Sequence, residues 1–144
     1  MYFKSVVVAF SALSVAVLGC GPSVNVERVA PASGVLTFKG KALDGYKVTF
    51  NPGENRRAAT AITDANGKFK LGTNKEGDGA AVGKHRVAIS FISEQVTGEA
   101  GKEVFKTLTP KQKISKDYEN ASTSGIEIEI PSAGNNQIEI TLTK

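Results

Sequence analysis

Residues 59–71, Ala59-Thr60-Ala61-Ile62-Thr63-Asp64-Ala65-Asn66-Gly67-Lys68-Phe69-Lys70-Leu71, decide the fold class. Asn66-Gly67 stands between two alternating runs, and both of its residues tolerate a positive φ, which tight hairpin turns require. Downstream of the turn, Phe69 and Leu71 share one phase, the period of two that marks a half-buried strand. The stretch predicts a hairpin of 59–63 with 68–71.

The same period runs outward in both directions. Upstream, Gly34 to Phe38 ends at the Lys39-Gly40-Lys41 turn, and Tyr46 to Phe50 places Tyr46, Val48 and Phe50 on one face. Downstream, Lys84 to Ile92 is the longest run, with Val87, Ile89 and Phe91 in phase. Ile126–Ile130 and Ile138–Leu142 place isoleucine inward and glutamate outward. Glu127, Glu129 and Glu139 are therefore expected on one solvated outer face, balanced by cross-strand lysines. Seven strands without an amphipathic helix predict an all-β chain, a seven-stranded antiparallel sandwich of Ig-like type. Residues 94–125 are too long for a plain loop and carry Val104, Phe105, Leu108 and Tyr118, so they are expected to pack back on the sheet. As the least regular part, they also supply the expected partner-binding surface, with Phe105 and Tyr118 as its candidate contacts.

Composition sets the limits. Hydrophobic residues at 40% and charged residues at 22% of 144 describe a globular domain rather than a disordered chain. The net charge of +4 comes from lysines scattered among acids, without the basic stripe a nucleic-acid binder concentrates, so no nucleic-acid partner is expected. A single cysteine leaves no intrachain disulfide.

That cysteine ends an apolar run. Met1–Lys4 carries one positive charge, Ser5–Val17 is apolar and too short to span a bilayer comfortably, and small residues follow. Val17-Leu18-Gly19-Cys20 resembles a bacterial lipobox. The resemblance implies lipidation of the Cys20 thiol, cleavage before it, and a membrane partner reached through the lipid. Several acyl chains anchor stably where one does not. The expected organisation is a lipoprotein signal peptide over 1–19, a tether over 20–32 and one domain over 33–144. Gly21 stands where inner-membrane retention in enteric bacteria uses aspartate, so the outer membrane is the expected location within the envelope.

Ser33-Gly34-Val35, Gly40-Lys41-Ala42-Leu43-Asp44-Gly45, Val48-Thr49-Phe50, Thr63–Phe69 and Gly83-Lys84-His85-Arg86-Val87, in that order and spacing, are similar to the carboxypeptidase regulatory-like, or transthyretin-like, domain. Lys116-Asp117-Tyr118, Thr123–Ile126 and Gly134-Asn135-Asn136 look like the C-terminal part of small bacterial lipoproteins that carry it. The resemblance covers about Ser33 to Leu142 and implies a prealbumin-like sandwich without catalysis.

Candidate chemistry is sparse. His85, the only histidine, shares phase with Val87 and is expected inward at the rim with one hydrogen-bond partner. The chain has no Gly-x-Ser-x-Gly elbow, so no enzyme and no cofactor are expected. Asp64 and Asn66 begin like a calcium loop, but Lys68 to Leu71 supply no further oxygen ligands. With Asp78 and Glu76 in the glycine-rich stretch 72–83, they form only a weak metal pattern. The expected function is a noncatalytic, lipid-anchored envelope protein that binds a protein or glycan partner. The alternatives are an accessory protein binding a small ligand or calcium weakly, or a hydrolase built on His85.

Overall fold

The computed structural model describes residues 26–53, 55–97 and 104–144. Val17, Leu18, Gly19 and Cys20 lie outside the described residues. In chain order the strands are β1 (Val29–Ala30), β2 (Ala32–Phe38), β3 (Lys41–Ala42), β4 (Tyr46–Asn51), β5 (Ala59–Ile62), β6 (Lys68–Lys70), β7 (Ala80–Ala81), β8 (Gly83–Phe91), β9 (Glu94–Thr97), β10 (Val104–Thr107), β11 (Glu127–Ile130) and β12 (Asn135–Leu142). A 3-10 turn occupies Lys116–Glu119. Each of the seven alternating runs contains a strand, and the described chain is all-β with no α-helix.

Two larger sheets share the core. One has the order β11-β8-β4-β5 and is antiparallel throughout. The other is built on β2, which pairs antiparallel with β3 and β6 and parallel with β12. The parallel pair corrects the expectation of a wholly antiparallel sandwich. The Pro131–Gly134 turn carries the chain from one sheet to the other, so β12 does not fold back on β11 but lies beside β2. Gly34 permits that closeness: a Cβ there would sit 2.1 Å from the Ile138 carbonyl oxygen. Separate sheets also divide the three glutamates expected on one face. Glu127 and Glu129 lie on β11, opposite Arg86 and Lys84, whereas Glu139 lies on β12 in the other sheet.

The Asn-Gly turn forms, but the hairpin it begins is splayed. The Gly67 amide donates to the Asp64 carbonyl at 2.8 Å, and the Asp64 carboxylate accepts from the amides of Asn66 and Lys68. Beyond the turn, β5 stays with β4 and β6 joins β2. The two touch again only at Thr60 and Gly72, whose mutual backbone bonds are 2.9 and 3.0 Å. No ladder bond joins Ile62 to Lys70 between these points among the described residues. The pull on β6 is local: Phe69 lies opposite Gly34 on β2, and an aromatic covers a strand glycine well. The hairpin becomes a seam between the two sheets.

The core lies where their inner faces meet. Leu36, Val48, Phe50, Leu71, Val87, Ile89 and Ile130 have no exposed surface, and each such side chain contributes roughly 1.5–3 kcal/mol by leaving water. Phe50 sits at the centre, 6.3 Å from the Phe69 ring and 5.7 Å from that of His85.

The long insertion divides into two parts. Among the described residues β9 and β10 pair only with each other, as an arm that follows the end of β8. Residues 108–125 form a strap that returns to the body. The Tyr46 hydroxyl donates to the Gln112 carbonyl, and burial raises the Tyr46 pKa, keeping the phenol a donor. Ile114 packs on the core, the Ser115 amide donates to the Lys144 carbonyl, and Tyr118 is buried. The packing-back expectation therefore holds for the strap. Tyr118, named as a candidate contact, is 8% exposed and packs in the core.

Gly67 combines a φ of +72° with a position where a Cβ would lie 2.4 Å from the Leu36 carbonyl oxygen. Gly67→Ala is expected to destabilise the fold by about 2 kcal/mol or more, because the strained φ and the clash add. Urea unfolding of both forms measures it; an unchanged midpoint would show that the turn does not determine the seam.

Candidate functional site

His85 is 1% exposed and sits on β8 opposite Ile128. Its Nε2 lies 2.6 Å from the Ala81 carbonyl oxygen. A carbonyl only accepts, so Nε2 carries a hydrogen and donates it. Nδ1 is buried and has no partner among the described residues. The ring is deeper than the expected rim position, though its single hydrogen-bond partner agrees.

Two carboxylates of the weak metal pattern, Asp64 and Asp78, are occupied by backbone amides. Asp64 caps its own turn, and Asn66 contributes its amide to that cap. Asp78 accepts from three successive amides, Thr73 at 2.7 Å, Asn74 at 3.1 Å and Lys75 at 3.2 Å. Burial alone would raise the Asp78 pKa, but these bonds together outweigh it and hold the group below its usual value near 3.8. Among the described residues no three His, Cys, Asp or Glu side chains converge on a point that would hold a metal.

The loop that Asp78 organises has a different use. It holds Asn74 so that its side-chain amide clasps the chain before β1: Asn74 Nδ2 donates to the Glu27 carbonyl at 2.9 Å, and the Glu27 amide donates to Asn74 Oδ1 at 3.1 Å. The Glu27 carboxylate then takes two bonds from Arg56, at 2.8 and 3.1 Å, and the same guanidinium donates to the Val82 carbonyl. This pair is partly covered, with side chains 33% and 18% exposed, so solvent screens it less than a free surface pair. β1 pairs with β7 beside it. The clasp joins residues 27, 56, 74 and 78 at the point where the N-terminal segment meets the sheets.

None of these partners was legible in the sequence. Thr73, Asn74 and Asp78 announce a capped loop, but nothing in the pattern says that Asn74 reaches a residue 47 positions away. The candidate contact Phe105 lies on β10 opposite Val96, and its side chain falls outside the described residues.

The outward side of the β5–β6 seam forms an open groove of about 1390 Å³. Register places Lys47 opposite Ile62 and Lys70 opposite Ser33, while Lys68 and Glu139 both face Val35. Ile62 is 61% exposed in this groove, unusual for so large an apolar side chain. The Thr73–Glu76 segment of the clasp loop forms one wall.

No known family, curated protein or solved structure matches this chain.

Replacing Asp78 by Asn removes the charge that gathers three amides. Asp78→Asn is expected to cost about 1–2 kcal/mol at neutral pH. A depressed folded-state pKa contributes stability above the unfolded value and loses it as pH falls through the folded one. The gap between wild type and variant should therefore narrow below about pH 4. Urea midpoints at neutral and acidic pH measure it; a gap that stays constant would mean the Asp78 charge does not hold the loop.

Proposed function

We propose that this chain is a noncatalytic, lipid-anchored protein of a bacterial envelope. In this reading residues 1–19 are a signal peptide, Cys20 carries the lipid, and a prealbumin-like seven-stranded sandwich follows as a binding or structural module. Gly21 after the cysteine favours the outer membrane.

The observation that carries the reading is the polarity of the domain. The clasp holds the N-terminal segment beside the start of β8, and the β9–β10 arm leaves from its other end. At about 3.3 Å per residue, the nine residues of β8 put roughly 30 Å between these points. Cys20 lies seven residues before Glu27, a reach of at most about 25 Å when fully extended. A lipid at Cys20 would therefore keep the clasp end near the headgroups and turn the arm outward. Such a layout suits a module that meets its partner with the distal arm, where Phe105 lies. The burial of His85 away from solvent supports the noncatalytic reading over a His85 hydrolase.

The test is to express the full chain in a bacterium that processes lipoproteins, with labelled palmitate, beside Cys20→Ser. The expected outcome is label in the wild type alone, recovered with membranes. An unlabelled, soluble product from the wild type would overturn the anchor and the function built on it.

A further inference from the structure

We propose that the groove over the β5–β6 seam binds a linear anionic polysaccharide. The seam produces the shape. Because β5 and β6 belong to different sheets, the outer surface bends between them and leaves a trough rather than a flat strand face. The trough is largely open to solvent, as a polymer requires, whereas small-molecule sites enclose most of their ligand.

Charge selects the ligand. Lys47, Lys68, Lys70 and Lys75 line the groove and are exposed. None of them forms a salt bridge among the described residues. The acids on the same lining are Asp64, Glu76 and Glu139. Asp64 accepts two backbone amides but keeps its charge, so the four lysines face three acids and the lining is positive by a single charge. Lys47 lies one strand spacing from Ile62, roughly 5 Å, and Lys70 lies across the opened seam on β6. Ammonium groups so placed can meet successive acidic groups on an extended chain, with Ile62 lying under the apolar face of the ring between them.

The remaining lining suits sugar hydroxyls. Thr60 offers a hydroxyl, and Asn136 and Gln137 offer amides. The Ser33 and Thr73 hydroxyls already donate to Asn136 Oδ1 and the Gly79 carbonyl and are left to accept. Phe69, the aromatic beneath the groove, turns inward and is 4% exposed, so the face has no platform for stacking nucleic-acid bases. The site is independent of the anchor, since none of its residues lies before Ser33.

The experiment titrates the purified full chain, in mild detergent, with polygalacturonate, neutral dextran and poly-glutamate at low and high salt. Lys47→Glu/Lys70→Glu reverses the flanking charges, Lys47→Gln/Lys70→Gln only removes them, and Lys116→Glu is a control on the 3-10 turn. Thermal melts confirm folding of each. Polygalacturonate is expected to bind in low salt and to weaken as salt screens the lysines. The charge reversal should weaken binding about tenfold or more, neutralisation less, and the control not at all. Four outcomes would overturn the proposal: no polygalacturonate binding, equal binding of dextran, equal loss in the control, or tighter binding of poly-glutamate, which would make the ligand an acidic peptide. Repeating the titration with Cys20→Ser separates the groove from the anchor, because that variant keeps every lining residue.

Discussion

β8 is the strand on which the rest of the structure depends. It is bonded to β4 on one side and β11 on the other, and its inward residues His85, Val87 and Ile89 are buried to 1% or less. A strand flanked on both edges has its register specified twice, and a one-residue slip would exchange that buried row for Lys84, Arg86 and Ala88. Moving two charged side chains into an apolar core without partners is prohibitive. The position of β8 in turn places β4 and the ring of Phe50, against which both Phe69 and His85 pack.

The costs of this core are visible at its margins. His85 keeps one nitrogen satisfied by Ala81 and leaves the other without a partner among the described residues, a polar defect in an otherwise apolar contact. At the opposite end, the Tyr46 phenol reaches the strap through Gln112, and its ring lies edge-on to Phe91 at 5.2 Å. The strap closes the sheet end that the β8–β9 connection leaves open. The clasp does the same for the other end, using Arg56 and Asn74 instead of apolar packing. One end is sealed by side-chain burial and the other by hydrogen bonds, so the two ends differ chemically.

The seam follows from competition for strand partners. Turn chemistry at Asp64–Gly67 favours a hairpin, and the local bonds of that turn are all made. Yet β6 is only three residues long and finds its ladder on β2, where Phe69 faces Gly34. The result keeps the turn and opens the hairpin, and the groove outside it is the consequence.

The sequence by itself determined seven of the twelve described strands and their inward faces, because both depend on period-two alternation and turn residues that act over a few positions. The short β1, β3 and β7 and the β9–β10 arm carry no such signal. Tyr46, Val48 and Phe50, then Val87 and Ile89, then Ile138, Ile140 and Leu142 are buried as their phase requires. Tertiary structure decided which strands pair, because pairing is a contest among distant segments. The parallel β2–β12 contact depends on the missing Cβ of Gly34 beside Ile138. The separation of Glu139 from Glu127 and Glu129, and the inward place of Tyr118, follow from the same kind of contest. The clasp of Glu27 by Asn74 and Arg56 is legible only in three dimensions, since hydrogen bonds between side chains and remote backbone leave no periodic trace in the chain.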